Sequence, residues 1–190
     1  MKFVIIVGNK KNMEGIYMKK LNFKHKEIIL YILTLIIVIG GDQITKVLID
    51  QTMQLYSGYE IIPDFFYFTY SHNAGAAWGI FQGRTYLFVI CALVAGIGMI
   101  YYFLQSEPSQ KLMRFGLVLL FGGMVGNLID RVALGYVRDF IDFIILGYDF
   151  PIFNIADMGI TIGMFFILLE VGIEEYKTWK LSKSLDKTNM

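Results

Sequence analysis

Four aspartates lie within one strongly apolar stretch of the chain, VRDFIDFIILGYDFPIFNIAD, residues 137 to 157. They are Asp139, Asp142, Asp149 and Asp157. Two interpretations are open: all four are polar positions of an ordinary surface loop, or some of them converge on one site. Two aspartates that share a site cannot both ionise cheaply, so one keeps its proton. The ionised one can take a proton from a water attacking a carbonyl, while the protonated one polarises the carbonyl oxygen, which is aspartic peptidase chemistry.

Other groups that could do chemistry are sparse. The single cysteine, Cys91, excludes an internal disulfide and a multi-cysteine metal site, and its apolar surroundings predict a buried small residue. His25 and His72 are far apart and neither has a second ligand at metal spacing, so the sequence predicts no metal and no cofactor. A serine–lysine peptidase using Ser71 and Lys46 is a further alternative, although no pattern brings those two side chains together.

The elements that must position these acids are predicted to be membrane helices. Hydrophobic residues make up 56% of the 190-residue chain, charged residues only 17%, and the mean hydropathy is +0.56. These values are typical of a membrane protein rather than a soluble one. The formal net charge of +1 gives no indication of a nucleic-acid partner, and none is expected.

Four segments are long and apolar enough to span a bilayer, which takes about 20 residues. They run over about 27–49, 85–105, 112–129 and 155–173. In the third, Gly122 and Gly126 would let a neighbouring helix approach closely. The aromatic stretch 53–73 between the first two spans favours β-structure or an interfacial layer.

The basic residues predict the orientation of the chain. Seven of the 17 Lys and Arg residues fall in 1–26, two in 105–114 and four after Glu174. The positive-inside rule therefore puts both termini in the cytoplasm, so 50–84 and 131–154 face outward.

Three regions are predicted along the chain. Residues 1–25 form a polar, mobile extension, 26–175 a four-helix membrane domain and 176–190 a basic cytoplasmic tail. Met18, which is followed by two lysines, is an alternative translation start to Met1.

Several polar residues fall inside or at the ends of the spans, where ionisable groups are costly and are candidates for function. They are Asp42, Lys46, Asn127, Asp130, Arg131, Asn154 and Asp157. Asp42 and Lys46 are four residues apart and can pair along one helix face. A structural ion pair, a lipid headgroup contact and a tie between helix ends are the competing interpretations. For the whole protein, the alternatives to a peptidase are a small transporter and a structural lipid-binding subunit.

Five motif blocks narrow these alternatives. They are GDQITK (41–46), FTYSHNAGAAWGIF (68–81), GNLIDR (126–131), VRDFIDF (137–143) and FNIAD (153–157). In order and spacing the blocks resemble those of the lipoprotein signal peptidases, also called signal peptidase II. The resemblance implies an integral membrane aspartic endopeptidase of the bacterial cytoplasmic membrane. Such an enzyme removes the signal peptide of diacylglyceryl-modified prolipoproteins just before the lipobox cysteine, near the outer membrane face.

The resemblance also implies a fold and a set of site residues. The fold is mainly α, with four transmembrane helices, a small extracytoplasmic β-cradle and a short interfacial helix. The catalytic pair falls on Asp139 and Asp157, whereas Asp142 and Asp149 match no catalytic position and are expected to be exposed loop acids. The supporting positions are Asp42, Lys46, Asn73, Asn127, Asp130, Arg131 and Asn154. A monomer in contact with membrane lipids, inhibited by the cyclic peptide globomycin, is expected.

Overall fold

The fold was described from a computed structural model, which covers the backbone of residues 2–8, 16–22, 24–75 and 83–188 and the side chains of 24–75 and 83–186. Within these ranges the chain forms four long helices and six strands. The helices are α1 (His25–Thr52), α2 (Thr85–Gln105), α3 (Lys111–Leu134) and α4 (Ile155–Thr188). The strands are β1 (Lys2–Gly8), β2 (Ile16–Asn22), β3 (Gly58–Ile62), β4 (Phe66–Asn73), β5 (Val137–Ile145) and β6 (Tyr148–Asp149).

All four helices are long and apolar enough to cross a membrane, which confirms the four predicted spans. The first and third begin and end within a few residues of the prediction. The fourth is a larger discrepancy, because α4 continues as one helix beyond residue 173 to Thr188 and includes most of the predicted tail. Helix propensity explains this, since the tail is rich in Lys, Leu and Glu and has neither Pro nor Gly after Gly172.

Two antiparallel sheets accompany the helices. Strands β1 and β2 pair with each other within residues 1–25, the region predicted to be a polar, mobile extension. The second sheet has the order β3-β4-β5-β6. Strands β3 and β4 connect α1 to α2, and β5 and β6 connect α3 to α4. Because β4 pairs with β5, both connections lie at the same end of the helix bundle.

This four-stranded sheet confirms the β-cradle, and β3 and β4 fall in the predicted aromatic stretch. None of the elements formed by the described residues is the short interfacial helix that the resemblance implied. Residues 76–82, which hold most of the AGAAWGIF part of the second motif block, lie outside the described ranges.

Glycines set the distances between the helices. A Cβ on Gly122 would lie 3.2 Å from Val38 of α1, so the predicted close approach at Gly122 is confirmed. Gly116 of α3 and Gly163 of α4 face each other, and a Cβ on either would come within 2.6 Å of the other's carbonyl oxygen. Small residues allow such contacts, which replace the hydrophobic driving force that helices lack in lipid.

Helix α2 differs from the others in how little of it is covered. Its one buried residue is Gly96, whereas Val94 and Ile97 are 66% and 71% exposed. Cys91 is also exposed on this helix, so its predicted burial is wrong. In a membrane-spanning helix an apolar residue needs no protein neighbours, because lipid provides the apolar surroundings.

Candidate active site

Asp139 lies in β5, with 3% of its surface exposed. Its Oδ1 accepts a hydrogen bond from Asn154 Nδ2 at 2.6 Å, and its Oδ2 accepts one from Asn73 Nδ2 at 3.0 Å. Burial, reinforced by the charge of Asp157, raises the pKa of the Asp139 carboxyl from 3.8 to about 7. The two amide donors act in the opposite direction and keep the ionised form accessible near neutral pH.

Asp157 lies in the first turn of α4, where the helix start fixes its carboxylate. The Asn154 side chain accepts the Asp157 N–H at 3.0 Å, and Asp157 Oδ2 accepts the Asn154 N–H at 3.2 Å. This reciprocal pair has the geometry of a capping box, with Asn at the cap and Asp three residues later. The other oxygen, Oδ1, accepts a hydrogen bond from Asn127 Nδ2 of α3 at 2.7 Å.

Asn154 joins the two acids. Its side-chain amide donates to Asp139, its backbone amide donates to Asp157, and its side-chain oxygen accepts from Asp157. Nδ2 also lies 3.1 Å from Asn127 Oδ1. The 17 residues between the two aspartates therefore form a hairpin and return, so that a strand acid and a helix acid meet at one fully buried asparagine.

A buried lysine lies directly behind this pair. Lys46 Nζ is 2.9 Å from Asp42 Oδ2, 3.5 Å from Asp130 Oδ2 and 2.9 Å from Asn127 Oδ1, and both ion-pair partners are fully buried. The predicted Asp42–Lys46 pair along α1 is confirmed. A charged ammonium among three acceptors has no lone pair to offer, which argues against Lys46 as the base of a serine–lysine peptidase.

Asp130 binds a second cation. Arg138 donates to its two oxygens from Nη2 at 2.7 Å and from Nε at 3.2 Å, a bidentate arrangement. The bond to Asp130 raises the pKa of Arg138 further above its usual value. Gln43 adds donors to Asp42 and Asp130. Two acids and two cations thus form a buried cluster whose formal charges cancel.

Asp42 also reaches across the bundle to α4. Its Oδ1 accepts the backbone N–H of Ala156 at 2.9 Å. A helix start leaves such donors without intrahelical partners, and a carboxylate near them is favoured by the helix dipole. Helix α1 therefore fixes the same turn of α4 that carries Asp157.

Arg131 lies at the margin of the site. Its Nη2 donates to the Gly75 carbonyl at 3.1 Å, and its guanidinium lies 4.8 Å from the ring centre of Phe88. It links the end of α3 to the segment that follows β4 and to α2.

These groups line a cleft of about 670 Å³. Its polar lining is Asn73, Asn127, Arg131, Asp139, Asp157 and Thr161. Phe150 to Phe153 form one apolar side, and apolar residues of α2, α3 and α4 form the other. Among the described residues no three His, Cys, Asp or Glu side chains are grouped to hold a metal ion. The cleft therefore combines two carboxylates with apolar sides, an arrangement that suits a largely apolar bound group.

The structure brings all nine predicted residues to one end of the bundle, in two layers. Asn73, Asn127, Arg131, Asp139 and Asp157 reach the cleft, while Asp42, Lys46 and Asp130 form the charge cluster and Asn154 joins the two layers. Asp149 is exposed, as expected. The expectation for Asp142 is wrong: it lies half-buried in β5, where Thr69 Oγ1 donates to it at 2.6 Å.

Two members of the charge cluster, Gln43 and Arg138, were not predicted from the sequence. A charge count offered a signal for one of them. Asp42 and Asp130 present two buried negative charges and Lys46 only one positive, so a second cation is required. Arg138, beside Asp139 in the VRDF block, supplies it.

Comparisons with known proteins match this arrangement. Residues 33–173 match the family model described as signal peptidase (SPase) II. The chain belongs to the signal peptidase II family. It is a peptidase of a family whose matched region contains every one of the nine site residues.

Individual relatives agree with the family assignment. The lipoprotein signal peptidases of Staphylococcus aureus strains MRSA252 and JH9 are each 44% identical over 138 residues, which cover 73% of this chain and 85% of the relative. Two solved structures described as a bacterial membrane enzyme, at 2.3 and 1.9 Å, superpose with TM-scores of 0.74 and 0.70. They are 42% and 43% identical, covering 78% and 76% of this chain and 90% and 93% of theirs. The chain is accordingly a multi-pass membrane peptidase of the signal peptidase II family.

Proposed function

We propose that the chain is an aspartic endopeptidase that cleaves the signal peptide from diacylglyceryl-modified bacterial prolipoproteins just before the lipobox cysteine, with Asp139 and Asp157 as the catalytic pair. One observation carries the proposal: both carboxylates accept hydrogen bonds from Asn154 and line the same cleft. The names of the Staphylococcus aureus relatives support the substrate class.

In the proposed mechanism Asp139 holds the proton and Asp157 is ionised. Asp157 takes a proton from water as the water oxygen bonds to the scissile carbonyl carbon, and Asp139 gives its proton to the carbonyl oxygen. The resulting diol collapses when the C–N bond breaks. Asp157 then passes its proton to the departing amine, and Asp139 recovers one from the diol, so both acids return to their initial states. The pKa of Asp139, at about 7, suits a group that must release and regain a proton near neutral pH.

Three asparagines hold the two carboxylates in place. Asn73 and Asn154 donate to Asp139, while Asn127 donates to Asp157, and each bond holds its carboxylate in one orientation. Asn127 is itself held by Lys46, so the buried charge cluster fixes the site without adding net charge beside it. Preorganised donors of this kind lower the cost of rearrangement during the reaction.

The surroundings of the cleft support a lipid-modified substrate. The acids lie at the sheet end of the bundle, and the apolar sides of the cleft would receive apolar chain and acyl groups. The distribution of Lys and Arg supports our proposal that this end lies at the outer face of the bacterial cytoplasmic membrane, with both termini in the cytoplasm. We further propose that one chain, in contact with membrane lipids, is the active unit, with neither cofactor nor nucleic acid involved, and that globomycin competes for the cleft.

The test uses the full chain in detergent and a fluorescent lipobox peptide with or without diacylglyceryl modification. Asp139→Asn and Asp157→Asn should each abolish cleavage of the modified peptide. Asp149→Asn, which neutralises an exposed acid of the same hairpin, is the matched control and should retain wild-type activity. Wild-type rates in both Asn variants of the pair would refute the catalytic assignment. Equal cleavage of the unmodified peptide would refute the substrate assignment alone, and full activity with globomycin present would refute its competition for the cleft.

A further inference from the structure

The turn between β5 and β6 places a leucine in an unfavourable backbone conformation. Ile145 and Tyr148 pair across a two-residue loop made of Leu146 and Gly147, whose φ angles are 52° and 79°. Positive φ at both loop residues matches the twist of a hairpin and suits Asn, Asp or Gly. For a bulky residue such as leucine it is strained. The turn between β3 and β4 shows the ordinary solution, with Asp64 at φ 55°.

Packing inside the protein does not explain Leu146, because its side chain is fully exposed, at 103%. The neighbouring apolar side chains are exposed as well: Ile145, Tyr148 and Phe150 at 46%, 54% and 41%. We call these four residues the hairpin tip. No charged residue occurs between Asp142 and Asp149, so the loop itself and Ile145 and Tyr148 beside it carry no charge that would oppose contact with an apolar phase. The one charged residue next to the tip is Asp149, which follows Tyr148 in the direction of α4.

The position of the tip identifies that apolar phase. Strand β5 begins three residues after α3 ends at Leu134, and β6 leads back to α4 at Ile155. The hairpin therefore leaves the bundle at the level where two spans meet the membrane surface. Exposed apolar residues also cover the nearby helix ends, such as Val132 at 69%, and these face lipid in a four-span protein. The tip continues that surface outward.

We propose that the hairpin tip inserts into the apolar edge of the leaflet at the sheet end of the bundle and sets the height of the acid cleft above the membrane. Phe150 belongs both to the tip and to the lining of the cleft. The depth of the tip in the membrane therefore determines the depth of the cleft. The proposal depends on the four spans and not on the catalytic chemistry.

The test measures depth with a bimane label on a single cysteine and nitroxide-labelled phospholipids in reconstituted vesicles. The native Cys91, exposed on α2, is the lipid-contact reference. In a Cys91→Ala background, Leu146→Cys reports on the tip, and Glu107→Cys, exposed in the turn between α2 and α3, is the water-exposed reference. Tyr148→Cys replaces Leu146→Cys if that variant fails to purify as a folded protein.

The nitroxide lipids should quench most of the fluorescence of the label at residue 146, as they do for the label at Cys91. The fluorescence of the label at residue 107 should be unchanged. Fluorescence at residue 146 that matches residue 107 would overturn the proposal. Quenching that requires added substrate would assign the tip to the substrate instead. Quenching by a nitroxide-labelled copy of the chain, but not by lipid, would assign it to a protein interface, and either result would overturn lipid insertion.

Discussion

Asn154 and Asp157 each donate a backbone hydrogen bond to the other's side chain, at 3.2 and 3.0 Å respectively. The carboxylate of Asp157 is therefore held in position by hydrogen bonds at the start of α4. Because the Asn154 amide also binds Asp139, an error in the helix start would displace both carboxylates together. Two substitutions separate the capping role of Asn154 from its role as a donor.

Asn154→Ser retains a good N-cap acceptor but removes the amide donor to Asp139, whereas Asn154→Ala removes both. Each should lower kcat by about tenfold or more, since Asp139 becomes ionised when it gives its proton to the carbonyl oxygen, and a hydrogen bond to a charged group contributes about 1.5–3 kcal/mol. Both should also move the alkaline limit of the pH–rate profile upward, because the lost donor favoured ionised Asp139. Only the alanine variant should lose the additional ~1 kcal/mol of the cap in detergent unfolding. A serine variant with wild-type kcat and an unchanged pH profile would contradict the donor role.

Stability should depend on pH through Asp139. Its pKa is about 7 in the folded protein and 3.8 for a free aspartate, so the folded state binds the proton more tightly. The contribution is fully present below about pH 4 and is lost as the pH rises through 7. Asp139→Asn should therefore raise the melting temperature relative to wild type at pH 8 and have little effect at pH 4. Asp149→Asn, at an exposed position, should show no such trend, and parallel melting curves for all three proteins would contradict the raised pKa.

The spans and the acid pair were predictable from the sequence for different reasons. Twenty apolar residues in a row have few alternatives to a membrane helix, so length and hydropathy were sufficient. Asp139 and Asp157 were found through the VRDF and NIAD blocks, since spacing alone could not show that the intervening 17 residues fold back. The sequence could not show which hydrogen bonds and ion pairs join one element to another. Bonds such as Asp42 to the Ala156 N–H or Arg138 to Asp130 depend on backbone positions set by packing.

The buried charge cluster should tolerate the loss of one cation poorly. Lys46→Met keeps most of the side-chain volume but leaves Asp42 without its ion pair and Asp130 with Arg138 alone. Breaking a buried pair in this way costs about 3–5 kcal/mol. Lys177→Met is the matched control, because its pair with Glu174 is largely exposed and such pairs contribute about 0–1 kcal/mol. Chemical unfolding in detergent measures both, and equal losses would show that burial does not govern the cluster.

A change in the close packing of α3 on α4 should displace the acid pair directly. A Cβ on Gly123 would overlap the Ala156 carbonyl oxygen and lie 2.9 Å from the backbone nitrogen of Ile160, so Gly123→Ala must displace the first turns of α4. Overpacking of this kind costs about 1–3 kcal/mol, and here it would also move Asp157, which follows Ala156. We expect a lower melting temperature together with a loss of kcat larger than any change in KM. Gly40→Ala, on α1 with no atom within 4 Å of the added Cβ, should leave both unchanged or slightly improve stability. If Gly123→Ala cleaved substrate as well as Gly40→Ala does, the start of α4 would not control the position of Asp157.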